Sequence, residues 1–425
     1  MADDILTLAD ELWRGETDLE GHHPVSGQNL GDLAEVMDGV AFVPSFANVS
    51  AFTTGDGLVL VDTGSALLAQ SVHDQVRTWT PERLDTAVYS HGHIDHVFGV
   101  PVFEAESSAN GWRAPRVIAH EALPPRFDRY ILTAGYNGII NARQFGLRNF
   151  SWPTEYRYPD ETYERRLDVT VGSLSFELHH CRGETDDHTW TWFPSKRVVC
   201  TGDMFIWASP NAGNPQKVQR YPKDWADGLR EMVALSPEVL LPGHGVPVVG
   251  EDRVREALSD TADLLESLHE QTLALMNAGA RLDEIIHTVR PPAGLLDKPY
   301  LRPVYDDPEF IVRNTWRLYG GWYDGNPATL KPAPEAALAA EVASLVGGPG
   351  VLADRALAVA DAGDLRLAGH LAELASLAAP DDAGVHRVRA DVNRRRAEEE
   401  TSTMAKGVFS WAAAESDRLS GGAPG

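Results

Sequence analysis

The sequence carries only two cysteines, Cys181 and Cys200, in 425 residues. That excludes a disulfide-stapled secreted fold and a four-cysteine zinc module. Basic residues are few: 37 Lys and Arg stand against 62 Asp and Glu, a formal charge of −25. A nucleic-acid binder needs a basic stripe or patch, so that class is excluded. No uninterrupted apolar run approaches the ~18 residues of a membrane-spanning helix. The first residues, MADDILTLADELWRGE, are acidic where a signal peptide is basic, and they contain no apolar core segment. The expectation is a cytoplasmic protein with no membrane span.

What is there is enough chain for two or three domains, at roughly 150 residues each. Residues 1–40 read as a polar lead-in. Strands follow in AFVPS, NVSAFTT and GLVLVDTG, with TGDG as a hairpin turn. A helix is expected over 66–79, a buried strand at TAVYS ending at His91, and one helix over 120–146. LDVTVG and LSFELHHC pair around Gly172-Ser173, HTWTWF and RVVCTGD around Pro194-Ser195, and EVLLPGHG follows. Two batches of strands, each followed by helix, predict a layered α/β sandwich rather than a simple βαβ array. Beyond Gly250 the pattern turns helical, with Val254, Leu258, Leu265, Leu268, Leu275 and Met276 on one face. The domain boundary is therefore placed at 250/251, with a catalytic domain over 1–250 and an all-α domain over 251–425.

The densest chemical signal is His91-Gly92-His93-Ile94-Asp95-His96, directly after a strand. Four metal-competent side chains fall within six residues, and imidazole with carboxylate suits zinc, iron or manganese. His188 closes the turn Gly183-Glu184-Thr185-Asp186-Asp187-His188. Asp203 ends TGD, and His244 lies in LPGHG. Each is weak alone. Their order and their places at strand ends allow them to meet at one sheet edge.

HGHIDH resembles the HxHxDH motif of the metallo-β-lactamase superfamily, and VDTG (Val61–Gly64) its early strand-end motif. The resemblance implies a four-layer αββα sandwich with two divalent ions, most simply zinc. It implies His91, His93 and His188 on one ion, Asp95, His96 and His244 on the other, and Asp203 between them. Asp62 would orient the HxHxDH turn without binding metal. Hydrolysis would then use a hydroxide held by the metal pair, with Asp95 and Asp203 as the catalytic carboxylates.

Within that superfamily, the stretch from Glu309 to Pro327, with its GGWYDGNP end, and GYNGIINARQFG (135–146) resemble the alkylsulfatase group. The later helices resemble that group's dimerisation domain, which implies a homodimer through the C-terminal helices. GGWYDGNP itself reads as a turn with an aromatic anchor packed on a neighbour. The group's members use glutamate where this chain has His188 and Asp203. The expected substrate is an alkyl sulfate ester, a small molecule. A lactone, thioester or phosphodiester is the alternative that the His188/Asp203 pair favours. Asn141, Arg143, Lys217 and Arg220 are the candidate substrate contacts. The attacked atom, sulfur or carbon, stays open.

Overall fold

The computed structural model describes residues 5–26, 31–147 and 150–421. The chain divides into two compact units, Met1–Ala134 with Pro153–Gly321, and Gly135–Trp152 with Trp322–Gly425.

The first unit is built on two sheets. One has seven strands in sequential order: β1 (Ala34–Met37), β2 (Val40–Val43), β3 (Val49–Thr53), β4 (Leu58–Val61), β5 (Leu84–Val88), β6 (Arg116–His120) and β7 (Glu161–Tyr163). The other has six: β8 (Arg166–Val171), β9 (Leu174–His180), β10 (Thr189–Phe193), β11 (Val198–Gly202), β12 (Val239–Pro242) and β13 (Val248–Val249), in the order β13-β12-β11-β10-β9-β8. Strands β4 to β7 run parallel, as do β11 and β12; the remaining pairs are antiparallel.

The period of two sorts side chains between layers. Phe52, Val59, Phe176, Phe193, Val198, Cys200 and Leu241 fill the space between the sheets. Phe52 and Phe193 stack there at 3.7 Å. Alternate residues face outward. Ala51 and Leu60 meet helix residues Val72, Val76, Phe103 and Phe127 on one side. Trp190, Trp192, Val199 and Leu240 meet Trp225, Leu229, Leu258 and Leu265 on the other. Helices therefore cover both outer faces, which is the expected αββα sandwich. Strands β2, β4, β5, β10, β11 and β12 are buried throughout because both their faces are covered.

Several sequence expectations shift. The lead-in contains a helix, Ile5–Arg14, whose Leu12 is buried, and the strand β1. The helix expected over 120–146 is two, Leu123–Leu132 and Ala134–Phe145, broken at Thr133. The boundary expected at 250/251 lies inside the first unit. Helix Glu251–Asn277 buries Val254, Leu258, Leu265 and Leu268 in the same core as Trp225, Leu229 and Met232 of helix Pro222–Ala234. Each such side chain contributes about 1.5–3 kcal/mol by leaving water, so the helix is held as part of the sandwich.

The second unit is helical. Its later helices span Glu335–Val346, Pro349–Asp361, Leu365–Ala378, Ala383–Glu399 and Thr403–Leu419. Small residues let them approach closely: Ala356, Ala360, Ala368 and Ala372 pack with Val392, and Ala353 and Ala375 with Leu352 and Val385. Asp364, Asp382 and Ser402 cap three of the N-termini through backbone amides. In GGWYDGNP, Asp324 accepts from Asn326 N at 2.8 Å and forms the expected turn. Of its two aromatics, Trp322 is 71% exposed and Tyr323 is half-buried. Among the described residues no single helix is long and apolar enough to cross a membrane.

Candidate metal centre

The site residues follow strand ends at one edge of both sheets: Asp62 after β4, the 90–96 turn after β5, Glu184 in the β9–β10 connection, Asp203 after β11 and His244 after β12. Strand ends in α/β sheets leave such a crevice, since each loop departs from the same side.

Two groups of metal-competent side chains form there among the described residues. His91, His93, Glu184 and Asp203 make one; Asp95, His96 and His244 make the other. In the first, His91 Nε2 and His93 Nδ1 face each other at 2.7 Å. Glu184 Oε2 stands 3.5 Å from the former and 3.6 Å from the latter. In the second, His244 Nε2 and His96 Nε2 lie 3.5 and 3.7 Å from Asp95 Oδ2. Asp203 reaches both groups: Oδ2 is 3.7 Å from His91 Nε2 and 3.4 Å from His244 Nε2, and Oδ1 is 3.4 Å from His96 Nε2.

The outer ring atoms set the tautomers. His96 Nδ1 donates to Asp62 Oδ2 at 2.8 Å, and His244 Nδ1 donates to Phe46 O at 2.6 Å. Each Nε2 is then the ring atom that would turn its lone pair to a bound cation. Asp62 also accepts from Ser90 N at 2.7 Å and Ser90 Oγ at 2.8 Å. It thus touches the turn and stays outside both groups, as the sequence predicts.

His96 Nε2, Glu184 Oε2 and Asp203 Oδ1 are buried without a hydrogen-bond partner. Orphaned atoms of this kind are costly unless something else binds them. Burial and the neighbouring imidazoles hold His91 well below the usual histidine range, and burial with Arg220 and Arg126 does the same for His93. Both are therefore neutral imidazoles, the form that could bind a cation. Burial opposes charge on Asp203, but His244 and His96 outweigh it and keep it ionised. The donor set of imidazoles and carboxylates fits two divalent cations.

His188 lies outside both groups. Its Nε2 bonds to Thr201 O at 3.0 Å, and its ring stacks behind His91 at 4.9 Å. Glu184 stands in the ligand group instead. The sequence signal for it was an acidic residue directly after Gly183, in the loop that joins two strands at the metal edge. His188 drew attention only because histidine is the commoner ligand. Glu184 thus takes the place in the cluster expected of His188 from the sequence.

Arg220 is buried and binds Glu184 Oε1 at 2.6 Å. Lys217 is pushed down to about 7 by burial and by Arg220, with Glu184 and Asp95 opposing, which puts it in the field of the same carboxylates. Asn141 and Arg143 lie in the second unit. There Asn141 donates to Asn137 O at 2.8 Å, and Arg143 sits over the Trp411 ring at 6.0 Å.

Residues 42–244 match the model of the metallo-beta-lactamase superfamily, and residues 281–418 match that of alkyl sulfatase dimerisation. A linear primary-alkylsulfatase of a Pseudomonas sp. is 28% identical over 319 residues, covering 69% of this chain and 59% of its own. An (R)-specific secondary-alkylsulfatase of Pseudomonas sp. is 28% identical over 400 residues, 87% of this chain and 60% of its own. The solved structure of a stereoselective inverting sec-alkylsulfatase from Pseudomonas sp. superposes with a TM-score of 0.82 at 26% identity, covering 93% of this chain and 67% of that one. The chain spans less than two thirds of the length of the two curated relatives.

Proposed function

We propose that this chain, which matches the models of the metallo-beta-lactamase superfamily and of alkyl sulfatase dimerisation, is a metal-dependent hydrolase of alkyl sulfate esters. The observation that carries the reading is Asp203, which stands within 4 Å of imidazoles from both ligand groups. A carboxylate so placed could supply a ligand atom to each of two cations. His91, His93 and Glu184 would hold one, and Asp95, His96 and His244 the other. Zinc suits these ligands. Two such ions, when bound, supply Lewis acidity and a water of lowered pKa.

The remaining work falls to the chain. Asp203 joins the two ligand groups. Asp95, with its side chain 19% exposed, is the most exposed of the three carboxylates and would be able to take the proton from an attacking water. Lys217 feels the Glu184 and Asp95 carboxylates and would be a candidate donor to a sulfate when protonated. No nucleophilic Ser or Cys is required: burial raises both thiols, Cys181 up to about 12 and Cys200 still further. The case for a lactone, thioester or phosphodiester rested on His188 as a ligand, and it weakens with Glu184 in that place. A homodimer through the C-terminal helices, in the cytoplasm, completes the proposal.

The test is metal content together with turnover of dodecyl sulfate, an aryl sulfate, a lactone, a thioester and a phosphodiester, by wild type and His93→Ala. Two metals per chain and His93-dependent sulfate release are expected. Turnover of another ester without sulfate release would overturn the substrate class. Hydrolysis in 18O-water assigns the bond: label in the alcohol means attack at carbon, label in the sulfate attack at sulfur.

A further inference from the structure

Glu184 gives its two oxygens to different neighbours. Oε1 accepts from Arg220 Nη1 at 2.6 Å and from Asn211 Nδ2. Oε2 has no hydrogen-bond partner and faces His91 and His93. Arg220 Nη1 also donates to the Glu184 carbonyl at 2.9 Å, so the same guanidinium grips backbone and side chain. Arg220 and Asn211 are 2% and 3% exposed. A carboxylate can offer a cation one oxygen or both. Here one oxygen is already taken, by a charged and a neutral donor together.

Both donors come from one segment, residues 209–220, and it is strapped onto helix Pro308–Gly320 and the turn before it. Asp306 Oδ2 accepts from Gly213 N at 2.6 Å while its Oδ1 accepts from Asp307 N at 2.9 Å. Asn314 Nδ2 donates to Arg220 O at 2.9 Å, and Gln219 Nε2 donates to Asn314 Oδ1 at 3.0 Å. Ser209 N donates to Arg302 O at 2.9 Å. At Gly213 the strap lies against the helix backbone, and an added Cβ would stand 2.2 Å from Ile311 N. The strap's position is thus determined at several points along its length, and with it the two donors.

We propose that Arg220 and Asn211 are positioning residues that hold Glu184 as a one-oxygen metal ligand, and that the 209–220 strap sets them in place. The inference rests on the metal-centre reading above. It gives Arg220 a role toward the ligand, distinct from the substrate contact expected from the sequence. Without the grip on Oε1, Glu184 is free to rotate and bring both oxygens to the cation.

The experiment is titration of metal-stripped protein with Co2+, in competition with a chelating dye, for wild type, Asn211→Ala, Arg220→Lys and Glu184→Gln. Asn211→Ala changes no charge, and Arg220→Lys keeps the charge but replaces the planar guanidinium whose Nη1 makes both bonds. In each, one metal equivalent is expected to bind about 10–100-fold more weakly, as for other lost ligand supports, with the other equivalent unchanged. The visible Co2+ bands should weaken as Glu184 adds its second oxygen and the coordination number rises. If Arg220→Lys does not fold, Asn211→Ala decides alone. Unchanged affinity and an unchanged spectrum in Asn211→Ala overturn the positioning role. Wild type that binds fewer than two equivalents, or Glu184→Gln that keeps both at wild-type affinity, overturns the metal-centre reading itself.

Discussion

Asp62 Oδ2 stands 2.8 Å from His96 Nδ1, and the same carboxylate holds the Ser90 amide at 2.7 Å. One residue after β4 therefore fixes both the start of the 90–96 turn and the ring of its last histidine. It does so from a backbone φ of 60°, a left-handed conformation that aspartate tolerates better than most side chains. Asp62→Ala removes the acceptor for Ser90 N and frees the His96 ring. Binding at the Asp95/His96/His244 group is expected to weaken about 10–100-fold. Competition titration with a chelating dye checks this, and unchanged affinity counts against the role.

The exchange of Glu184 for His188 has its own signature. His188 donates to Thr201 O and lies outside both ligand groups. His188→Gln should keep two metals per chain by elemental analysis, whereas Glu184→Gln should lose affinity at one. Loss of one metal from His188→Gln with Glu184→Gln unaffected would restore the ligand set expected from the sequence.

Gly92 sits between the two turns that meet at the first ligand group. Its N–H donates to Asp187 Oδ2 at 2.9 Å, and Asp187 Oδ1 forms an ion pair with Arg126, 2.7 Å from Nε. A Cβ at Gly92 would stand 2.8 Å from Arg126 Cδ and 3.2 Å from Asp187 Oδ2. Arg126 is buried and held by both Asp186 and Asp187, so it has little room to yield. Gly92→Ala is expected to cost about 1–3 kcal/mol of stability and to lower ester turnover with it. Denaturant unfolding alongside sulfate release tests both; wild-type stability would show that the turn has slack.

His180 supplies a pH prediction away from the metal groups. Its ring stacks on His120 at 3.5 Å and donates from Nδ1 to His188 O at 2.9 Å. Burial first, and then His120, push it down from 6.5 to about 4. The folded state therefore binds fewer protons than the unfolded state between these values. Stability from this group is full above about pH 6.5 and is lost as pH falls toward 4. His180→Gln should flatten the fall of stability across that window, measured as denaturation midpoint against pH. Parallel curves for the two proteins would refute it.

On helix Glu335–Val346, Leu338 and Leu345 are two turns apart on one face and are 58% and 77% exposed. These two leucines are the candidates for the proposed dimer interface. Leu338→Glu with Leu345→Glu should convert the expected homodimer to monomer in light scattering. A double variant of unchanged mass would place any interface elsewhere.

The metal motif was legible in the sequence because its ligands lie close together. His91, His93, Asp95 and His96 share six residues, and a turn that short can converge in few ways. The sandwich was legible too, since strands covered on both faces read as apolar runs and hairpin turns announce themselves by glycine. The helical face of Val254, Leu258, Leu265 and Leu268 was visible as periodicity, but not the partner it packs on. That partner, Trp225 with Leu229, lies in the sandwich, and so the helix belongs to the first unit. Periodicity tells which face is buried and is silent about which neighbour buries it.

Glu184 and His188 show the same limit in the site. Both lie in one short loop and both are competent ligands, so residue type and order cannot separate them. Tertiary structure does: the β9–β10 connection turns Glu184 Oε2 toward His91 and His93, while His188 Nε2 finds Thr201 O behind them. The sequence by itself determined the chemistry available at the sheet edge and the layers that carry it. Only the packed fold, with Arg220 and Asn211 holding one oxygen of Glu184, decided which side chains face inward, because that choice depends on contacts between segments far apart in the chain.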